Sequence, residues 1–324
     1  MRKERYSIGE LNVDRITGAG MPPFSRRKIF LDATSGSDGN DGLAFDRAKK
    51  TLAAALAKIN TDKRDSIYLI GKSSSGLSLS ADPAWTYNGT DLIGLDSGCI
   101  YGGRSRIGMA SDYGTPAITI SGHNNRFSNI DFMHGFSSGH VAHVGVSITG
   151  TRNAFFGCHF NGPLNTDLAT ATEYVGVSIA GSENYFNHCI FGARTLGRTQ
   201  PAPNVKMIAG VGDQYFEDCV FQVCLGDGDP TFLEIANTAS TGLAVFKRCM
   251  FIAFNSNWAT AMTVAFQING DYTCGILLDP QCQFYNVTAH IDTAKDQFVW
   301  MPAAPVVGTA GVDNTALLAT KLVI

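Results

Sequence analysis

Charge is scarce in this chain. Only 16% of its 324 residues are Asp, Glu, Lys or Arg, against roughly 25% in ordinary soluble proteins. The net charge is −3, so the broad basic footprint of a nucleic-acid or membrane-surface protein is missing. No apolar run approaches the roughly 18 residues that a membrane-spanning helix needs. The opening residues, MRKERYSIGE, lack the apolar core of a secretory leader. Synthesis in a cytoplasm, with reduced thiols, is therefore the expectation. The eight cysteines include no Cys-x-x-Cys pair of the kind that binds metal. Neither a Walker loop nor a usable dinucleotide fingerprint occurs. GVSIT and GVSIA miss the last glycine of a nucleophile elbow.

What is abundant is glycine, with 35 residues, and apolar side chains, at 44%. Together with many β-branched residues they point to an all-β chain rich in turns. Five cysteines share one local pattern, Cys-x-Phe, at Cys158, Cys189, Cys219, Cys249 and Cys282. The steps between them are 31, 30, 30 and 33 residues. They close a longer unit, seen in ITISGHNNRFSNIDF, VSITGTRNAFFGCHF, VSIAGSENYFNHCIF and MIAGVGDQYFEDCVF. Aligned, these give a glycine column (Gly122, Gly150, Gly181) and an amide column (Asn125, Asn153, Asn184, Gln214). A phenylalanine column follows (Phe127, Phe155, Phe186, Phe216), then Ile130 with the cysteines, then a second phenylalanine column (Phe132, Phe160, Phe191, Phe221).

Each unit reads as a short strand, a glycine turn and a second strand ending in F-x-x-C-x-F. No 3.6-residue period is present. Such a unit cannot bury its apolar face alone, whereas stacked units bury a continuous core. Like residues then fall on like, about 4.8 Å apart, which is the geometry of a parallel β-helix. The amides become a hydrogen-bonded ladder. The cysteines become small apolar core residues beside phenylalanine.

Upstream, IFLDATSGSDGNDG precedes AFDRAKKTLAAALAKIN, which predicts a helix over about 46–60 with Asp46 as its cap and Leu52, Leu56 and Ile59 on one side. A helix of this kind covers the open end of a solenoid. The strand, the G-S-D-x-N-D-G turn and the T-L-x-x-A-L-type helix resemble the N-terminal opening of the pectate-lyase-like superfamily of right-handed parallel β-helices. That class includes many bacteriophage tailspikes and virion surface proteins. The resemblance spans roughly 29–290. It implies an all-β, right-handed parallel β-helix with an N-terminal capping helix and extended terminal arms. The expected division is a basic anchoring arm over 1–28, the β-helix over 29–296 and an apolar tail over 297–324. The arm carries Arg2, Lys3, Arg5, Arg15, Arg26, Arg27 and Lys28 against three acids. The tail packs on a neighbouring subunit or back on the solenoid.

Enzymes of this fold usually act on polysaccharides. Hydrolysis needs two carboxylates flanking a sugar; elimination needs a base, often with calcium held by carboxylates. Outward columns would supply them. The middle residue of Cys-x-Phe gives Asp131, His159, Ile190, Val220, Met250 and Gln283; the residue before the cysteine gives Asn129, Gly157, His188, Asp218 and Arg248. Neither column places two acids on adjacent coils. Glu183 and Asp213 lie one coil apart and are either an acid pair or exposed turn residues. Asp227 and Asp229 sit in a natural turn, G-D-G-D-P. Asp38, Asn40 and Asp41 suggest calcium or turn capping, and lack the distal acid of a full loop. His140 and His143 have no third ligand nearby. No catalytic, metal or cofactor residue is assigned, and no cofactor is expected.

Ile190, Val220 and Met250 form an outward apolar run on consecutive coils. They are the expected oligomer interface; cover by the chain's own loops (161–174, 192–206, 222–232 and 252–263) is the rival. The functional expectation is a non-enzymatic virion protein, a homotrimer decorating or cementing a phage capsid. Arg2, Lys3, Arg5, Arg26, Arg27 and Lys28 would anchor it to capsid or tail proteins. The alternative is a tailspike-type receptor-binding protein or depolymerase that meets a host surface glycan, with Trp85, Tyr87 and Trp258 as aromatics for stacking on sugars.

Overall fold

The computed structural model describes residues 27–71, 77–79, 84–96, 105–109, 118–134, 144–164, 166–171, 174–208, 212–226, 228–236, 242–255, 261–269, 275–291, 299–301 and 320–321. Each coil gives one short strand to each of three sheets. In one coil these are Arg126–Ser128 in the first sheet, Ile130–His134 in the second and Val144–Ile148 in the third. The first sheet has eleven strands and the others eight each, and apart from the last strand of the first sheet each neighbours its equivalent one coil away. The pairings between coils are parallel. The chain is a right-handed parallel β-helix, the handedness that parallel crossovers adopt.

The F-x-x-C-x-F segment is a corner and not one strand. Its first phenylalanine lies in the first sheet and its second in the second sheet. Between them, the residue before the cysteine is left-handed in four coils, at Gly157 (φ 57°), His188 (52°), Asp218 (55°) and Arg248 (51°), as is Asn129 (56°) before Ile130. This kink turns the chain while keeping both phenylalanines inward. The cysteine sits inside the bend, fully buried from Cys158 to Cys249. Its thiol donates to the carbonyl of the ladder phenylalanine one coil back, as in Cys189 to Phe155 O (3.5 Å) and Cys219 to Phe186 O (3.4 Å). Burial pushes the thiols of Cys158, Cys189 and Cys219 well up, so they stay protonated.

Two phenylalanine ladders fill the core. Rings of the first stack at 4.8–4.9 Å from Phe127 through Phe246. Those of the second stack at 4.6–5.2 Å from Phe132 through Phe284. Across the corner the two ladders meet edge to face, for example Phe186 with Phe191 at 5.5 Å and 68°. Each such pair adds on the order of 1 kcal/mol beyond its area burial.

At the corner between the third and first sheets the amide ladder forms as expected. The side-chain oxygens of Asn125, Asn153 and Asn184 accept from the backbone N–H of Thr90, Asn125 and Asn153 in turn, at 2.9–3.0 Å. Asn153 Nδ2 donates to Gly122 O, and Gln214 Nε2 to Gly181 O. Here glycine is forced by proximity. A Cβ at Gly150 would lie 1.9 Å from Gly122 O, and one at Gly181 1.8 Å from Gly150 O.

The expected helix over 46–60 is much shorter. A 3-10 turn spans Phe45–Arg47 and one α-helix spans Leu52–Leu56. Asp46 is not its cap; the Thr51 hydroxyl accepts from Ala54 N. The reason is a competing role for the preceding residues. Lys49 bridges in parallel to Leu31 and exchanges backbone hydrogen bonds with Phe30 and Asp32, so this stretch protects the sheet edge instead of coiling. Leu52, Ala55 and Ile59 still plug the core end. Lys28 begins the strand Lys28–Leu31, and Arg27 O accepts from Ser66 N. Those two cations therefore belong to the first coil and not to a free arm. Arg2, Lys3, Arg5 and Arg26 lie outside the described residues, as does most of 297–324. Of that tail, Thr320–Lys321 pairs antiparallel with Val299–Met301, back on the end of the first sheet.

Two outcomes follow. Asn153→Ala strands a buried N–H and a buried carbonyl, and lowers stability in urea unfolding by about 2 kcal/mol or more. Gly150→Ala, which must push a backbone carbonyl aside, destabilises by at least a similar amount, about 2 kcal/mol. Separately, iodoacetamide mapped by mass spectrometry leaves Cys158, Cys189 and Cys219 unmodified in the folded chain and labels them once it is unfolded.

Candidate functional site

The outer face of the second sheet carries the column Asp131, His159, Ile190, Val220, Met250 and Gln283, in register from coil to coil. Its character changes along the solenoid. On the later coils it is apolar. Ile190 is 9% exposed within the single chain, and Val220 and Met250 are half-buried. The outward residues further along the same strands are Gln222 and Cys224 beside Ile252 and Phe254, all half-buried. Met250, Ile252 and Phe254 thus make a continuous apolar edge on one strand.

On the earlier coils the same face is polar and buried. Arg106 Nε donates to Asp131 Oδ2 at 3.2 Å, and Asn161 Nδ2 donates to Asp131 Oδ1. His159 Nδ1 lies 3.5 Å from Asp131 Oδ1, and its Nε2 is 3.1 Å from Gly192 O. Gln222 Nε2 donates to that carbonyl too. Asn204 Nδ2 donates to Gln222 O, and Arg198 Nη1 to Asn204 Oδ1. The Arg198 guanidinium lies 4.6 Å from the centre of the Tyr174 ring, and Tyr174 OH reaches Asn161 O at 3.5 Å. The contacts close a ring. It ties the segments 161–174 and 192–206 onto the sheet, where Tyr174 and Ala202 form a small core of their own. This ring holds one carboxylate, Asp131, already engaged by Arg106, Asn161 and His159. A hydrolytic pair of acids is not built here.

The other acids weighed in the sequence have structural work. Glu183 is exposed, sits at φ 59° and pairs with Arg152 one coil back, which lowers its carboxyl below the usual range. Asp213 Oδ1 accepts from Leu243 N. Glu183 and Asp213 are backbone neighbours on adjacent coils, Glu183 N donating to Asp213 O at 2.7 Å, and their carboxylates have separate partners. Asp38 caps Lys50 and Thr51, Asn40 donates to Ala48 O, and Asp41 binds Leu43 N and Arg47. That cluster is turn capping. Asp229 Oδ1 accepts from Thr263 N. Asp227, His140, His143 and Trp258 lie outside the described residues. Trp85 is buried, its Nε1 donating to Thr90 Oγ1, and Tyr87 packs against the core. Trp85 fills the interior near the N-terminal end, and Tyr87 stays half-buried.

A different aromatic surface exists on the outer face of the first sheet. The residues before the ladder phenylalanines align as Arg126, Ala154, Tyr185, Tyr215, Val245 and Leu277. Tyr215 is 42% exposed. Phe156 meets Tyr185 edge to face at 5.8 Å, with Arg126 over its ring. Tyr185 OH donates to Glu217 Oε2 at 2.6 Å. Hydrogen bonds from Lys247, Tyr185 and Arg248 hold the Glu217 carboxyl down at about 2, so it stays ionised. Arg248 also pairs with Asp218. Sequence reasoning tested the columns beside the cysteine and missed this one. Period-two alternation about each ladder phenylalanine is the signal that finds it.

No protein-family model matches the sequence, and no curated protein matches it. Among solved structures the chain is similar to the pectate lyase Pel9A, at 11% identity and a TM-score of 0.49, over 90% of this chain and 84% of that one. It is similar to a pectin methylesterase from Aspergillus niger, at 14% identity and a TM-score of 0.46, over 93% and 95%. It is also similar to ORF18 of Geobacillus virus E2, at 12% identity and a TM-score of 0.43, over 85% and 61%.

Proposed function

We propose that this chain is a non-enzymatic structural protein of a bacteriophage virion, a homotrimer of β-helices that decorates or cements the capsid surface. The observation that carries this reading is the apolar outer edge of the second sheet at Val220, Met250, Ile252 and Phe254. A solenoid uses its inward columns for its own core, so an apolar outward column serves contact with another copy. A closed rotational assembly lets every copy cover the same patch. The virion placement comes from the resemblance of the N-terminal opening to phage surface β-helices. In this reading Arg2, Lys3, Arg5 and Arg26 reach a capsid or tail partner from the basic arm, beside Arg27 and Lys28 on the first coil. The distribution of acids supports a structural role: Glu183, Asp213, Asp218 and Glu217 are committed to ion pairs and backbone caps.

One observation favours a second reading, a tailspike-type glycan-binding protein or depolymerase. Phe156, Tyr185 and Tyr215 give the first sheet an aromatic outer surface flanked by charge, which suits stacking on sugars.

Light scattering on the purified chain gives three times the chain mass, and Val220→Glu with Met250→Glu shifts it to the monomer while the β-sheet circular dichroism stays unchanged. A wild-type monomer that remains soluble overturns the interface. Cleavage of host polysaccharide that is lost in Glu183→Gln or Asp213→Asn overturns the non-enzymatic reading in favour of the second.

A further inference from the structure

Both phenylalanine ladders stop at the same level, near the N-terminal end of the solenoid. Beyond Phe127 the first column continues as Leu92, and beyond Phe132 the second continues as Ile107. Leucine and isoleucine fill less space than a ring, so the core loses volume where the ladders end. The cover above it is small. The helix Leu52–Leu56 has five residues and turns Leu52 and Leu56 to one side. Trp85 stands in register with Ile120 and does not swing across to fill the gap. Its Nε1 is held by Thr90 Oγ1 at 3.0 Å, and its ring is edge-on to Phe127 at 5.3 Å.

The result is a chamber under the cap, with about 330 Å³ of atom-free space, its mouth included. Leu52 and Leu56 form one wall, Leu92 and Ile107 another, and Trp85 and Phe127 a third. Every described residue that lines it is apolar. Ala84 is exposed and Leu56 half-buried, whereas the other wall residues are buried. The mouth therefore lies between the cap helix and the strand Ala84–Trp85. A water molecule needs two to four polar partners to settle in an interior cavity. The indole N–H, the polar group of the wall side chains, is already spent on Thr90. An apolar guest displaces little bound water and gains dispersion contacts on all sides.

We propose that this chamber is a binding site for one small apolar molecule, a single aromatic ring or a hydrocarbon of that size, which enters beside the cap helix and completes the end of the core. The site does not depend on the virion reading above.

The test is isothermal titration and thermal unfolding of the full chain with benzene, and with phenol as the polar counterpart. Wild type binds about one benzene per chain, and its midpoint rises saturably by about 3 °C at a tenfold excess over Kd. Phenol, which must bury a hydroxyl without a partner, binds at least tenfold more weakly. Leu92→Phe and Ile107→Phe each extend a ladder by one coil into the chamber, and each loses the benzene response. The two variants fill the space from different sheets, so one stands if the other fails to fold. Absence of saturable, one-per-chain benzene binding in wild type overturns the proposal, whatever the variants do. So does phenol binding as tightly as benzene, or a benzene response in either folded variant equal to that of wild type.

Discussion

The tightest contact in the molecule sets the rest of it. At the corner between the third and first sheets, successive coils approach until the Cα of Gly150 stands over Gly122 O and that of Gly181 over Gly150 O, with no room for a Cβ. Asn125, Asn153 and Asn184 then reach exactly one coil's spacing to take up the backbone N–H groups that this approach buries. A buried N–H left without a partner costs about 1–3 kcal/mol, so the amide and the glycine are required together. Once this corner fixes the spacing, aromatic stacking near 4.8 Å follows for both phenylalanine ladders. The cysteine is then the side chain small enough to sit inside the second bend, with a weak donor for the ladder carbonyl above it.

Interior columns were therefore legible in the sequence, because every coil repeats the same steric demand. The strand breaks were not. Only Gly157 announces the left-handed corner; His188, Asp218 and Arg248 occupy the same backbone region and look like ordinary strand residues. They tolerate it because their side chains point outward into inter-coil contacts such as Arg248 with Asp218. The helix was overread for a related reason. AKKTLAAALAKIN has strong helical propensity, yet Lys49 gains more by pairing along the exposed edge of Lys28–Leu31, so the helix starts only at Leu52. The polar ring was illegible because Tyr174, Arg198 and Asn204 come from segments that do not repeat.

Inside and outside of the solenoid answer to different constraints. An inward column keeps side chains of similar character from coil to coil, since each packs on its own equivalent, as the phenylalanine ladder continues into Leu92 and Leu278. An outward column is free to change, and Asp131, His159, Ile190, Val220 and Met250 do so within five coils. Where long segments fold over the face, it is polar and linked by hydrogen bonds from Asp131 to Arg198. Where the strands Val220–Cys224 and Met250–Phe254 run longer, it is apolar and half-buried. The change of chemistry along one column marks where cover from the chain's own segments ends and a half-buried apolar surface begins.

The same logic weighs the two functional readings. Catalysis on a stacked scaffold needs acids from adjacent coils left free to meet a substrate, and such acids cannot also neutralise the charges of their own corners. Here the corner acids are spent on Arg152, Lys247 and Arg248. In so lightly charged a chain, each carboxylate consumed by a corner is one removed from chemistry. The Glu217 carboxyl illustrates this: three donors stabilise its ionised form, which makes it a fixed electrostatic strut between coils and a poor proton donor near neutral pH. Among the described residues, the corner acids Glu183, Glu217 and Asp218 serve rigidity.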